Sequence, residues 1–299
     1  MEKIGFIGLG IMGKPMARHL LEHGFPLIVS DINKDAVREL TAAGAEEGTY
    51  EEIGKNSDIL ITMLPDGKIV QDVLFGENGA AKALSAGKIV CDMSSVTPKE
   101  SRYCYDRLKE IGVSFIDAPV SGGEPGAVNA TLAIMCGGEE EAFERLKPVF
   151  EVMGSSAVLM GESGAGSVTK LVNQIIVNLN ICAVSEGLVF GMKAGVDPMK
   201  IYQAIRGGLA GSVILDNKAP MICARNFKPG GKISINHKDI KNVLSAAHEL
   251  DVPLPMTAQL FEIQQALKVH GHMDDDHCGY VQYFEQLADV EVKSDITLE

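Results

Sequence analysis

The chain has 299 residues, 46% hydrophobic and 22% charged, the proportions of an ordinary globular protein long enough for two domains. A formal charge of −13 argues against a nucleic-acid surface or an anionic membrane as partner, although a small anionic substrate needs only local basic groups. No contiguous apolar run approaches the roughly 20 residues of a membrane span.

The first strand pattern begins so close to Met1 that no signal peptide is expected. The six cysteines, Cys91, Cys104, Cys136, Cys182, Cys223 and Cys278, have no paired spacing. Several sit in apolar patterns where free cysteine behaves as a small hydrophobe, so a reduced, cytoplasmic protein is expected.

In chain order, the apolar run 4–7 enters a turn spelled Gly8-x-Gly10-x-x-Gly13, and residues 16–21 follow with helical spacing. Strand, glycine turn and helix in that order form the dinucleotide fingerprint. The first glycine permits the turn, the second admits a pyrophosphate to the backbone, and the third lets helix and strand pack closely. Helix N-terminal N–H groups complete an anion site, so Gly8, Gly10, Ile11, Met12 and Gly13 are cofactor candidates.

The next strand, 26–30, ends at Asp31, which lies 18 residues beyond Gly13. An acid about 20 residues on hydrogen-bonds the adenosine ribose hydroxyls and repels a 2′-phosphate. NAD is therefore favoured; Lys34 keeps NADP open. The bland reading is an Asp31 that merely starts a turn in a nucleotide-free domain.

A helix over 34–43 ends at Gly44. Residues 57–64 and 88–93 are near-continuous apolar runs, as expected of parallel strands covered on both faces. The first stops at Pro65-Asp66-Gly67, and after the second a helix opens near Pro98. Strands over 113–118, 131–136 and 157–160 follow. Alternating strand and helix predict an α/β fold, a Rossmann-type doubly wound sheet with right-handed crossovers.

Near Gly161 the pattern changes. Apolar residues recur at helical spacing over 167–193, which predicts one long buried helix. Helical patterns without a convincing strand continue to Leu287. The expected division is a dinucleotide-binding domain over 1–163 and an all-α substrate and oligomerisation domain over 164–299, joined by that long helix. A homodimer or homotetramer is expected.

Ligands of such sheets bind beyond the strands' C-terminal ends, which makes Leu64, Pro65 and Ser95 candidates. The turn Ser121-Gly122-Gly123 offers successive N–H groups and a hydroxyl, a nest for a carboxylate or simply a turn. Lys170 and Asn173 are three apart and share a helix face. A helical lysine is ordinarily a solvated surface group; held in a partly desolvated site, it can donate or accept a proton. Lys238, in Asn236-His237-Lys238-Asp239, either pairs at the surface or reaches an anionic cofactor. The stretch 272–277 is rich in His and Asp but lacks ligand geometry, and no metal is expected.

Together, Phe6-Ile7-Gly8-Leu9-Gly10-Ile11-Met12-Gly13, Asp117-Ala118-Pro119-Val120-Ser121-Gly122-Gly123, Gly164-Ala165-Gly166 with Lys170 and Asn173, and His237-Lys238-Asp239 resemble the β-hydroxyacid dehydrogenase family in order and spacing. The resemblance runs from Met1 to about Val292. The segments 121–125, 202–212 and 225–230 resemble its tartronate semialdehyde reductase branch. It implies that Lys170 is catalytic, that Ser121, Gly122, Gly123 and Asn173 hold the substrate, and that Asp239 lines the pocket. It also implies cofactor contacts from Leu64, Pro65 and Ser95, with Lys238 near the nicotinamide. Ile32 stands where relatives often carry Arg, which favours NAD further.

The implied activity is NAD(P)H-dependent reduction of tartronate semialdehyde to D-glycerate, on a small carboxylate-bearing aldehyde or hydroxyacid. The alternatives are 3-hydroxyisobutyrate or another short β-hydroxyacid as substrate, or a non-catalytic NAD-binding sensor. The sensor reading sits poorly with the presence of Lys170, Asn173 and the 121–123 turn.

Overall fold

In the computed structural model, which describes residues 1–296, the apolar run after Lys3 forms strand β1 (Ile4–Ile7), with every residue buried. The chain then alternates through α1 (Gly13–Glu22), β2 (Leu27–Ser30), α2 (Lys34–Ala42), β3 (Glu46–Glu47), α3 (Tyr50–Asn56), β4 (Ile59–Thr62), α4 (Gly67–Phe75), β5 (Ile89–Asp92), α5 (Pro98–Lys109) and β6 (Ser114–Asp117). After these come β7 (Val120–Ser121), α6 (Gly123–Val128), β8 (Leu132–Gly137), α7 (Glu140–Glu151) and β9 (Gly154–Gly161). The expected strands, the helix after Asp31 and the helix opening at Pro98 are present. Asn33 caps α2, and a capping box of Thr97 and Glu100 opens α5.

The sheet order is β3-β2-β1-β4-β5-β6-β8, with β7 and β9 also paired to β8. Because β1 lies between β2 and β4, the strand order reverses there and opens a crevice beyond the carboxyl ends of the strands. Ladders from β3 to β6 are parallel. Successive strand residues bury to opposite faces: Ile4 and Phe6 pack in the core with α1, α2 and α7, while Ile7, Leu60 and Val90 pack with α3, α4 and α5.

Two features depart from the sequence reading. Strand β8 runs antiparallel to β6, so the sheet is not parallel throughout. A parallel return needs a full crossover, and the six-residue α6 is too short to supply one. Strand β3 was not foreseen, since its two residues are exposed glutamates with no apolar signal.

The chain divides into two compact units, Met1–Leu171 and Val172–Glu299. The division falls inside α8 (Ala165–Lys193), a single helix of 29 residues. The second unit continues with α9 (Pro198–Ile205), α10 (Val213–Cys223), α11 (Ile233–Glu249), α12 (Pro255–Val269) and α13 (Val281–Ala288). Its core gathers Leu188, Met199, Tyr202, Leu215, Ile222 and Val281.

Helix α8 corrects one expectation. By length and composition, with mean hydropathy 1.7 in its most apolar window, it is long and apolar enough to cross a membrane. The sequence hid this because Lys170, Asn173, Gln174, Asn178 and Asn180 interrupt any contiguous apolar run. The helix is also less buried than expected: Val168, Val172, Ile176 and Phe190 are exposed, while two of its polar interruptions lie inside. Gln174 and Asn178 are buried, and Asn178 is held by its own bond to the Gln174 carbonyl (2.8 Å) and by the Tyr280 hydroxyl (2.7 Å).

Candidate active site

The glycine turn lies between β1 and α1 as expected. Gly8 has φ +101°, and a side chain there would run into the Met63 carbonyl oxygen. Gly10 differs: it is exposed, and a Cβ would meet no protein atom within 4 Å. Its lack of a side chain is therefore not explained by packing within the protein. Helix α1 has no side-chain cap and no acid in its first turn, whereas α2, α3, α4 and α5 all have caps. Its N-terminal N–H groups, with Ile11 exposed and Met12 half-buried beside them, thus keep their pull on an anion.

Asp31 is half-buried and accepts the backbone N–H groups of Leu9 and, at 2.6 Å, Asn33. The carboxylate therefore clips the glycine turn to the end of β2 while retaining lone pairs for ribose hydroxyls. Ile32 is 93% exposed, and the Lys34 ammonium pairs with Glu47 at 2.8 Å.

At the ends of β4 and β5 a network appears that the sequence reading missed. Buried Asp92 accepts from the Thr62 hydroxyl (2.8 Å) and the Ser94 N–H (3.1 Å), and the Ser94 hydroxyl accepts the Leu64 N–H (2.9 Å). Burial raises the Asp92 carboxyl above its usual range, opposed by these bonds. The network fixes the backbone at Leu64-Pro65 and Ser94-Ser95, the candidate cofactor contacts. The only hint in the sequence was an acid ending an apolar run.

Ser121 is half-buried in β7, opposite Ala133 of β8. Gly122 and Gly123 follow, exposed, with φ +140° and +61°. Both φ values lie in the region that only glycine adopts readily.

Lys170 is 9% exposed, so it is not a solvated surface group. It stands in the second turn of α8, whose start is held by Asp117: the buried carboxylate accepts the N–H groups of Gly164 and Ser167, each at 2.7 Å. Asn173, one turn beyond Lys170, is half-buried and donates through Nδ2 to Gln174 Oε1 at 2.9 Å. Within the second unit Asp239 is 2% exposed and pairs with Lys238 at 3.1 Å. Gln174 and Asp117 were not singled out as site residues from the sequence.

The His- and Asp-rich stretch forms a structural hub. Asp276 takes the Lys218 ammonium (2.9 Å) and the N–H groups of Gly230, Gly231 and Cys278; against desolvation, His277, the Cys278 N–H and Lys218 hold its carboxyl down at about 2. Burial pushes the thiols of Cys136 and Cys182 up to about 12, so neither is a thiolate nucleophile at neutral pH.

Two family models match this chain. Residues 3–161 match the NAD binding domain of 6-phosphogluconate dehydrogenase, and residues 164–284 match the NAD-binding model of NADP-dependent 3-hydroxyisobutyrate dehydrogenase. The chain belongs to the β-hydroxyacid dehydrogenase family. This dehydrogenase is an NAD(P)-dependent oxidoreductase acting on CH–OH groups of small hydroxyacids.

It is 44% identical to 2-hydroxy-3-oxopropionate reductase of Escherichia coli (strain K12), over 96% of this chain and 98% of that one. It is 36% identical to 2-(hydroxymethyl)glutarate dehydrogenase of Eubacterium barkeri, over 97% of each. A solved Mycobacterium tuberculosis 3-hydroxyisobutyrate dehydrogenase with L-serine superposes with a TM-score of 0.87 at 27% identity, covering 94% of this dehydrogenase and 98% of that chain. Open space at Gly10 and an uncapped α1 fit the family's nicotinamide dinucleotide.

Proposed function

We propose that the dehydrogenase reduces tartronate semialdehyde (2-hydroxy-3-oxopropanoate) to D-glycerate with NADH, and that Lys170 supplies the proton. The chemistry rests on one observation: a lysine 9% exposed, at a fixed place in a helix whose start is hydrogen-bonded to the sheet. The substrate rests on 44% identity to 2-hydroxy-3-oxopropionate reductase along nearly the whole chain.

A bound reduced nicotinamide supplies the hydride that the aldehyde carbon gains. Negative charge then develops on the aldehyde oxygen, where the Lys170 ammonium stabilises it and transfers a proton from Nζ. In the reverse direction the neutral amine takes the proton from the alcohol. The 121–123 turn holds the substrate carboxylate through backbone N–H groups and the Ser121 hydroxyl, which orients the aldehyde. Asn173 contributes a second polar contact to the substrate, and Lys238 supports the nicotinamide end of the cofactor.

NADH is favoured over NADPH because Asp31 places a negative charge beside the ribose. Ile32 offers no phosphate ligand, and Lys34 is engaged by Glu47.

NADH oxidation with tartronate, methylmalonate and succinate semialdehydes tests the substrate. Highest kcat/KM with the first supports it. Preference for methylmalonate semialdehyde makes the enzyme a 3-hydroxyisobutyrate dehydrogenase by activity, and turnover of none overturns the catalytic reading.

A further inference from the structure

The start of α8 borders a cavity of about 380 Å³. Its walls are Arg102 of α5, Met160 near the end of β9, Glu162 and Ser163 of the turn that follows, and Val168 and Thr169 of α8. All of them belong to the first unit. The volume is at the small end of the range for ligand sites.

Three features give the cavity a chemical character. Ser163 Oγ is buried, yet it meets no hydrogen-bond partner among the described residues. Buried polar atoms are ordinarily matched, so this hydroxyl is a donor without its acceptor. Arg102 is exposed and makes no ion pair among the described residues. Its place is nevertheless defined, because a Cβ at Gly164 would lie 3.0 Å from Arg102 Nε. The guanidinium therefore stands against the residue next to Ser163. Met160 and Val168, 45% and 40% exposed, add an apolar wall.

The charges around the cavity decide what it attracts. The N-terminus of α8 contributes little, since Asp117 takes the N–H groups of Gly164 and Ser167 and the Glu162 carbonyl takes that of Ala165. The positive charge comes from Arg102, whose planar fork matches a carboxylate with two N–H bonds. Glu162 is the acid at the rim, and it is exposed, where solvent and salt screen it. The Thr169 hydroxyl donates to the Ala165 carbonyl at 2.8 Å and keeps its own oxygen as an acceptor.

We propose that this cavity binds a small aliphatic carboxylate at a site separate from the substrate site. The carboxylate pairs with Arg102 and accepts the Ser163 hydroxyl, while the alkyl chain lies on Met160 and Val168. Ala165, Val168 and Thr169 share one face of α8 by their spacing, whereas Lys170 is buried on another side. The ligand bridges α5 to the first turns of the helix that carries Lys170.

The test is methionine-methyl NMR of the full chain, titrated at constant ionic strength with sodium butyrate and with butyramide, its uncharged analogue. Loss of a signal in Met160→Leu assigns the reporter. Butyrate should shift the Met160 signal to saturation with a Kd of roughly millimolar order, ordinary for so few atoms, and butyramide should not saturate it. Arg102→Gln should weaken binding at least roughly tenfold and Ser163→Ala roughly threefold, the worth of a charged and of a neutral hydrogen bond. NADH oxidation should be unchanged in Arg102→Gln.

The absence of a saturable shift, or equal butyrate affinity in wild type and Arg102→Gln, overturns the proposal. A Met160 signal that follows protein concentration and ignores butyrate also overturns it, by assigning the cavity to contact between copies of the chain. Lost turnover in Arg102→Gln would place Arg102 in the active site and end the claim of a separate site. None of these outcomes bears on which aldehyde the enzyme reduces.

Discussion

Asp117, the last residue of β6, accepts the backbone N–H of Ser167 at 2.7 Å across 50 residues of sequence. Its other oxygen takes the N–H of Gly164 at the same distance, and the Ser167 hydroxyl meets that of Ser101 at 2.8 Å. The first turn of α8 is therefore bonded directly to the carboxyl end of the sheet, three residues before Lys170. Gly166 completes the joint, since a side chain there would collide with the carbonyl oxygens of Met135 and Asp117.

Asp117→Ala leaves two buried N–H groups without their acceptor. It should cost about 2 kcal/mol of stability, the upper range for a lost helix cap. It should also lower kcat more than it raises the aldehyde KM, because Lys170, the proposed proton donor, is displaced while the 121–123 turn, the proposed carboxylate site, is not. Asp117→Asn retains one acceptor and should recover part of both. Thermal denaturation and steady-state kinetics of the two variants check this.

The glycine turn gives a second prediction. Asp31 should make NADH bind at least roughly tenfold more tightly than NADPH, by repelling the 2′-phosphate. Ile32→Arg supplies a phosphate ligand at a fully exposed position and should narrow the ratio without weakening NADH. Fluorescence titration of both cofactors reads it. Equal affinity in the wild type would remove Asp31 as the discriminating group.

A third prediction concerns pH. Burial, aided by the Lys218 charge and opposed by Asp276, lowers His277 from 6.5 to about 4. The unfolded chain therefore takes up this proton before the folded one does. The second unit's stability is full above about pH 6.5 and falls as pH drops toward 4, by about 3 kcal/mol for this group in the linkage limit. His277→Gln should flatten that part of the profile, read as the shift in urea midpoint between pH 7 and pH 5. An unchanged shift would assign the acid sensitivity to another group.

Much of the first unit was legible because parallel strands covered on both faces read as apolar runs, and because Gly8, Gly10 and Gly13 serve needs that lie close in sequence. The direction of β8 was not legible; it follows from the shortness of α6, which apolar patterning does not report. Asp92, Asp117 and Gln174 escaped notice for another reason. A strand-end acid or a helical glutamine looks like any polar residue until the chain brings its partner to it. For Asp117 that partner is a backbone N–H 47 residues away, and for Gln174 it is a carboxylate 65 residues away.

The most direct test of the account is kcat/KM for tartronate semialdehyde in Lys170→Ala, with NADH Kd measured on the same sample. Loss of general acid and charge stabilisation should reduce turnover by roughly 10²–10⁴-fold while NADH Kd stays within about twofold. A variant within tenfold of wild type, with cofactor binding intact, would show that Lys170 is not the proton donor.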